Sequence, residues 1–76
     1  MATFTVREGR RYRATIALGL LERVASNDMI AEQLRTAGFA EVSVSGSGAV
    51  RVAQALWPAS DATAEMPTQI TEVVEI

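Results

Sequence analysis

The sequence predicts a small α+β domain in which one principal helix packs on one face of an antiparallel sheet of about four strands. Seventy-six residues suffice for one small domain, so residues 1–76 are expected to fold as a single unit. Hydrophobic residues make up 49% of the chain, which is typical of a globular core. Segments with the two-residue period of strands stand on both sides of one segment with a helical period.

The first strand with a clear period lies in "RRYRATIAL". Tyr12, Ala14, Ile16 and Leu18 alternate with polar or small residues, which predicts a strand with one buried face. The earlier "TFTVR" is also β-prone, and "EGR" after it is a turn that would join the two segments as a hairpin.

A helix is predicted from about Asn27 to Ala37. Ser26 or Asn27 can cap its start, and Asp28 places a carboxylate in the first turn, where the helix dipole favours negative charge. The preceding "LLERVA" is either an extra helical turn or an apolar loop folded over the core. The apolar stripe expected to face the sheet consists of Ile30, Leu34 and Ala37.

The end of this helix is the best specified terminus in the chain. Gly38 fits the left-handed position that follows many helices, and Phe39 fits the hydrophobic contact just after it.

The next stretch, "AEVSVSGSGAVRVAQALWP", predicts a strand, a turn and a second strand that ends at Pro58. In the first strand Val42 and Val44 are expected to point to the core, and Ser43 and Ser45 to point away. In the second strand we expect Val50 and Val52 on the core side. The residues expected to face away from the core there are Ala49, Arg51 and Ala53.

The glycine pair "GSG" is a candidate phosphate loop or the corner of a hairpin. A phosphate loop needs its glycines between a strand and a helix, so that backbone amides converge on the anion. The pair lies between two predicted strands, which favours the hairpin, with Gly46 or Gly48 supplying the positive φ of a tight turn.

The last part of the chain predicts a short helical turn and a final strand. "ASDATAEMP" offers Ser60 as a cap and room for one turn before Pro67. In "TQITEVVEI" the apolar residues Ile70, Val73 and Val74 do not alternate cleanly, which a bulge or burial on both faces would explain. The resulting order, β-α-β-β-(short α)-β, matches the ferredoxin-like split β-α-β plan.

Charge is segregated along the chain, whose formal net charge is −2. Four arginines lie between positions 7 and 13, and no basic residue follows Arg51. A phosphate or nucleic-acid patch is one interpretation. We prefer a structural one, in which the last strand lies antiparallel to the first and brings Glu72 and Glu75 beside Arg11 and Arg13. An acidic chain without a basic helix or interleaved stacking aromatics is a poor nucleic-acid binder.

The composition argues against an enzyme. Cysteine and histidine are both absent, which removes disulfides, thiolate nucleophiles, zinc-thiolate sites and the Ser-His and Cys-His arrangements. The acidic residues form no close pair on one predicted face. We therefore expect no catalytic residue, metal or cofactor, and we interpret Ser26 as a helix cap and Trp57 as a lid on the core.

No stretch has the length of a membrane span or of a signal peptide's apolar region, so the sequence as it stands predicts a soluble cytoplasmic protein without a membrane partner.

With one main helix, the second face of the sheet would stay uncovered and present small side chains among arginines. We expect this face, or an edge strand, to bind a protein partner or a second copy of the chain. The candidate partner-binding residues are Arg11, Arg13, Thr15, Ser43, Ser45 and Arg51. A stand-alone phage or mobile-element protein, as a minor structural component or an inhibitor of a host protein, is a further hypothesis.

Three stretches, "RYRATIAL", "AEQLRTAGFAEVSV" and "AVRV", resemble the SPOR peptidoglycan-binding domain, over about residues 11–55. The resemblance implies a ferredoxin-like fold that binds bare glycan strands on the open sheet face, through positions such as Thr15 and Arg51. Thr15 stands where that family usually has glutamine, and "AQALWP" replaces its Gly-Pro-Phe.

Overall fold

The computed structural model describes residues 3–20, 22–65 and 67–76, which form an α+β fold with one α-helix and two antiparallel sheets. The helix, α1, covers Asn27–Thr36 and follows a short 3-10 turn at Glu22–Val24. The strands are β1 (Thr3–Val6), β2 (Arg11–Ala17), β3 (Ala40–Ser47), β4 (Val50–Leu56), β5 (Ala62–Glu65) and β6 (Ile70–Glu75).

The main sheet has four strands in the order β3-β4-β2-β6, and each neighbouring pair is antiparallel. Its centre is the β2–β4 pair, in which Tyr12 faces Ala55 and Ile16 faces Arg51. The expected antiparallel pairing of the last strand with the "RRYRATIAL" strand is confirmed, since Tyr12 also faces Glu75 of β6.

The predicted bulge is present where β6 pairs with β2. Glu72 lies opposite Thr15 and Ile70 opposite Ile16, so Thr71 is the extra residue on β6. Because β6 is an edge strand, burial on both faces is not the reason for the irregular apolar pattern.

Helix α1 begins and ends as its sequence predicts. The Ser26 hydroxyl accepts a hydrogen bond from the backbone N–H of Met29 at 3.1 Å, which satisfies one of the free donors of the first turn. At the other end the N–H of Gly38 donates to Arg35 O and the N–H of Phe39 donates to Leu34 O. These two bonds form a Schellman motif, and Gly38 has the positive φ of +114° that this motif requires.

Of the segment "LLERVA", Glu22–Val24 form a separate 3-10 turn in the loop before α1, and this turn does not extend α1. Leu21 lies outside the described residues. Val24 in this loop is 89% exposed, so the loop does not fold over the core at that position.

Two predictions about the smaller elements are wrong. β1 does not form a hairpin with β2, although Gly9 turns the chain between them with a φ of +77°. It pairs with β5, which replaces the short helical turn expected before Pro67; Met66 lies outside the described residues. The reason is tertiary: an isolated helical turn is unstable, whereas β1 offers this segment a ladder of backbone partners.

β1 and β5 form a two-stranded ribbon. The hydroxyls of Thr5 and Thr63 meet across it at 2.7 Å. The ribbon is tied to the main sheet where the N–H of Arg7 donates to the Tyr12 hydroxyl at 2.7 Å.

The core lies on one side of the main sheet, between the sheet, α1 and the ribbon. Its buried hydrophobic residues are Val6, Tyr12, Ile16, Ala31, Ala53 and Ala55. Among the described residues no large side chain is fully enclosed, so the core is thin. Of the stripe predicted on α1, Ile30 and Leu34 are half-buried and Ala37 is exposed.

Candidate interaction surface

The second face of the main sheet is not covered by α1 or by the ribbon. We call it the open face. β2 contributes Arg11, Arg13, Thr15 and Ala17 to this face, and the register places the alternate residues of the other strands beside them. Those residues are Val50, Val52, Gln54 and Leu56 from β4, Ser43, Ser45 and Ser47 from β3, and Glu72 and Val74 from β6.

Five of the six predicted candidates therefore share the open face, and Arg51 does not. Arg51 faces Ile16 across the β2–β4 pair, on the side of α1, and it is 5% exposed. Ala53 is also buried on that side. The prediction that these two residues face away from the core is wrong.

The hairpin turn explains the error. Ser47 pairs with Val50, so the loop contains two residues, Gly48 and Ala49. Gly48 has a φ of +70°, and no positive φ occurs at Ala49, which fits a type II′ turn with glycine at its first central position. This register places the valines of β4 beside the serines of β3, since side chains directly opposite each other share a face.

The buried Arg51 joins three parts of the chain. Its Nη1 donates to Ala25 O at 2.9 Å and to Asn27 Oδ1 at 2.8 Å, and its Nη2 donates to Arg23 O at 3.1 Å. Its Nε donates to Gly48 O at 3.2 Å. The side chain thus holds the loop before α1 and the β3–β4 turn against the sheet. This structural role explains why an arginine is buried at this position.

The prediction that Glu72 and Glu75 lie beside Arg11 and Arg13 is confirmed only in part. Glu72 lies on the open face, opposite Thr15 and diagonal to Arg13, whereas Glu75 is opposite Tyr12 on the other side. The described ion pair of Arg11 is instead with Glu41, with 3.5 Å between Nη1 and Oε2.

A bulge in β3 brings Glu41 to that arginine. Ala40 pairs with Leu56 and Ser43 with Gln54, so Glu41 and Val42 together stand opposite one residue of β4. Glu41 has a φ of +50°, which is unusual for a residue other than glycine and redirects its side chain.

Sequence reasoning missed the apolar part of the open face, namely Val50, Val52, Leu56 and Val74. Val50 is 55% exposed. The signal that identifies the three β4 residues is the turn: counting outward from a two-residue "GA" loop places Ser45 beside Val52 and Ser43 beside Gln54.

The other sequence candidates have structural placements. Trp57 packs edge-to-face on Phe39, with 5.0 Å between ring centroids, and its Nε1 donates to Ser60 O at 2.7 Å. The "GSG" glycines lie at the end of β3 and in the turn, where a Cβ on Gly46 would stand 2.8 Å from Val50 O.

Two other kinds of feature are absent from residues 3–20, 22–65 and 67–76. No group of three or more acidic side chains is placed to hold a metal ion in this part of the chain. No helix in these ranges is long and apolar enough to cross a membrane.

No protein-family model, curated protein or solved structure matches this chain.

Proposed function

We propose that this chain is a non-catalytic interaction module that associates with a second copy of itself through the open face. The observation that carries this proposal is the apolar row of Val50, Val52 and Leu56 on an uncovered four-stranded sheet. Sheets commonly bury such a face against a second sheet, and an isologous pair would cover it on both copies at once.

The thin core is a reason to prefer self-association through the open face to an open face that is simply exposed to water. In the described residues the buried hydrophobic set contains three alanines and no leucine or phenylalanine. A chain of this size gains little from its core alone, and association is a common way to bury more apolar surface. The small side chains of the face, such as Ala17 and Ser45, would let two sheets approach closely.

Sedimentation of the purified chain from micromolar to millimolar concentration tests the proposal. We expect a monomer–dimer equilibrium, and we expect Val50→Glu to raise its dissociation constant by about tenfold or more, because a carboxylate would be buried in the interface. Val24→Glu is the matched control, since this valine is also exposed but lies in the loop before α1. A strict monomer over the whole range, or equal effects of the two variants, would contradict self-association through this face.

We also infer that the fold follows the ferredoxin-like split β-α-β plan, with β5 in the place of a second helix. The order β3-β4-β2-β6 supports this, because α1 connects β2 to β3 and β4 lies between them. The antiparallel pairing of β6 with β2 supports it as well.

A second candidate function is binding of a polar glycan, as the resemblance to SPOR domains implies. It is favoured by a row of hydrogen-bonding side chains across three strands of the open face, in which Gln54 pairs with both Arg13 and Ser43. Retention on peptidoglycan stripped of its peptides tests it. We expect Arg13→Ala to reduce retention; the buried Arg51 is not a suitable probe. No retention of the unmodified chain would exclude this candidate.

A further inference from the structure

A large apolar groove lies on the other side of the main sheet from the open face. It separates α1 from the β1–β5 ribbon and has a volume of about 720 Å³. This falls within the range of roughly 300–1,000 Å³ that is typical of small-molecule sites. We call it the helix-side groove.

The groove is concave because three layers enclose it. Ile16 and Ile70 of the main sheet form its floor, Ile30 and Leu34 of α1 form one wall, and Phe4 of β1 belongs to the opposite wall. The contributing elements come from both ends and the middle of the chain. A ligand in the groove would therefore be contacted from several sides, which distinguishes it from a flat docking face.

One end of the groove is aromatic. Phe39 and Trp57 line it there, and their edge-to-face contact fixes the two rings relative to each other. Toward the start of α1 the lining changes to Met29 and Val24, which are largely exposed. An elongated apolar molecule would fit along α1 and end against the two rings.

The charges around the groove limit what kind of molecule it takes. Of the described residues that line it, Glu65 alone is charged, and the other polar ones are Gln33 and Gln69. The chain has seven arginines, and none of the described ones borders the groove. An acidic head group would find no basic partner and would meet a carboxylate.

From this geometry we propose that the helix-side groove is a binding site for an uncharged, elongated apolar small molecule. Such a ligand would complete the thin core by filling the space between α1 and the ribbon. The ligand would stabilise the folded chain, because a molecule that binds only the native state shifts the folding equilibrium toward it. This site is independent of the proposed association through the open face.

The test uses the neutral apolar dye N-phenyl-1-naphthylamine with the full chain. We expect saturable, 1:1 fluorescence enhancement, displacement by decanol, and weaker displacement by decanoate because of its charge. Decanol should also raise the melting temperature. Absence of saturable dye binding would overturn the proposal, and displacement by decanoate at least as strong as by decanol would overturn the neutral class of ligand.

A matched pair of variants locates the bound dye. Ala64→Phe fills the groove from β5, and we expect it to lower the affinity about tenfold or more. Thr3→Phe adds the same ring to the ribbon at an exposed residue of β1 that does not line the groove, and it should leave the affinity unchanged. Equal affinities of the two variants would show that the dye binds elsewhere, and a groove occupied by a protein segment instead would leave the dye unbound.

Discussion

At the scale of single residues, Arg51 shows how a charged side chain can serve the interior of a thin domain. Its guanidinium is buried, and its four described hydrogen bonds go to neutral oxygens, three of them backbone carbonyls. The guanidinium carries five N–H donors on three nitrogens, whereas an ammonium carries three donors on a single nitrogen and cannot reach all four of these acceptors. One side chain thereby orders the backbone between Arg23 and Asn27, where Val24 is 89% exposed.

Replacing Arg51 with Met keeps the aliphatic stem and removes all donors. We expect the free energy of unfolding to fall by about 1–3 kcal/mol. Removing the charge also removes the cost of burying it, but the loss of four hydrogen bonds from a charged donor is the larger effect. Urea unfolding followed by Trp57 fluorescence measures the change. Arg51→Lys should lose most of the same stability, because one ammonium cannot span the four acceptors.

Arg10→Met is the matched control for this prediction. Arg10 is exposed in the turn between β1 and β2 and lies outside the open face, so the same change there should alter stability by no more than about 0.5 kcal/mol. If both variants lose the same free energy of unfolding, the hydrogen bonds of Arg51 make no contribution to stability of their own.

At the scale of elements, the end of α1 combines a backbone motif with aromatic packing. Gly38 has a φ of +114°, and a Cβ added there would stand 3.1 Å from the Trp57 ring. Gly38 therefore ends the helix and also leaves room for the Trp57 ring that packs on Phe39.

We predict that Gly38→Ala lowers the free energy of unfolding by about 2–3 kcal/mol, because it adds backbone strain and displaces the Trp57 ring. Gly9→Ala provides the comparison. Gly9 also has a positive φ, of +77°, but nothing lies within 4 Å of its added Cβ. Gly9→Ala should therefore lower the free energy of unfolding only by the backbone strain of a positive φ, about 1–2 kcal/mol. Chemical denaturation of both variants measures the difference, and equal losses would argue against the Trp57 contact.

The β1–β5 ribbon should be the first sheet element to open. A two-stranded ribbon is marginally stable in water, and most of the described residues of this one are exposed. Native-state hydrogen exchange tests this. We expect amides paired between β1 and β5 to exchange through local opening at low denaturant, and amides of the β2–β4 pair to exchange only with global unfolding. Equal opening free energies in the two sheets would show that the ribbon is an integral part of the main body.

At the scale of the whole molecule, local signals predicted some elements and failed at others for identifiable reasons. The limits of α1 follow from Ser26 and Gly38, whose effects act within one turn. The pairing of β1 with β5 joins residues about 60 positions apart, and no local pattern reports it. The four-stranded part was predictable because the periodicity of "RRYRATIAL" and the "GSGA" turn are local.

The residues of each sheet face were predicted less well than the fold, because a shift of one residue in a strand exchanges its two faces. Assigning all valines to the core placed Arg51 outside and Val52 inside, whereas the two-residue turn requires the opposite. The small alanines Ala53 and Ala55 of β4 lie on the side of α1, and the two larger valines of the same strand, Val50 and Val52, lie on the open face. Hydrophobicity alone cannot identify the inner face when both faces carry apolar residues.

If association through the open face supplies part of the buried surface, then stability must depend on protein concentration. For a dimer that unfolds to monomers, each tenfold rise in concentration adds about 1.4 kcal/mol, which corresponds to roughly 2–4 °C in melting temperature for a unit of about 150 residues. Calorimetry over two decades of concentration should therefore show a steady rise for the unmodified chain. Val50→Glu should melt lower and show this dependence only at protein concentrations about tenfold higher or more, and Val24→Glu should behave as the unmodified chain. A melting temperature of the unmodified chain that does not change with concentration would mean that each copy folds on its own core, however thin.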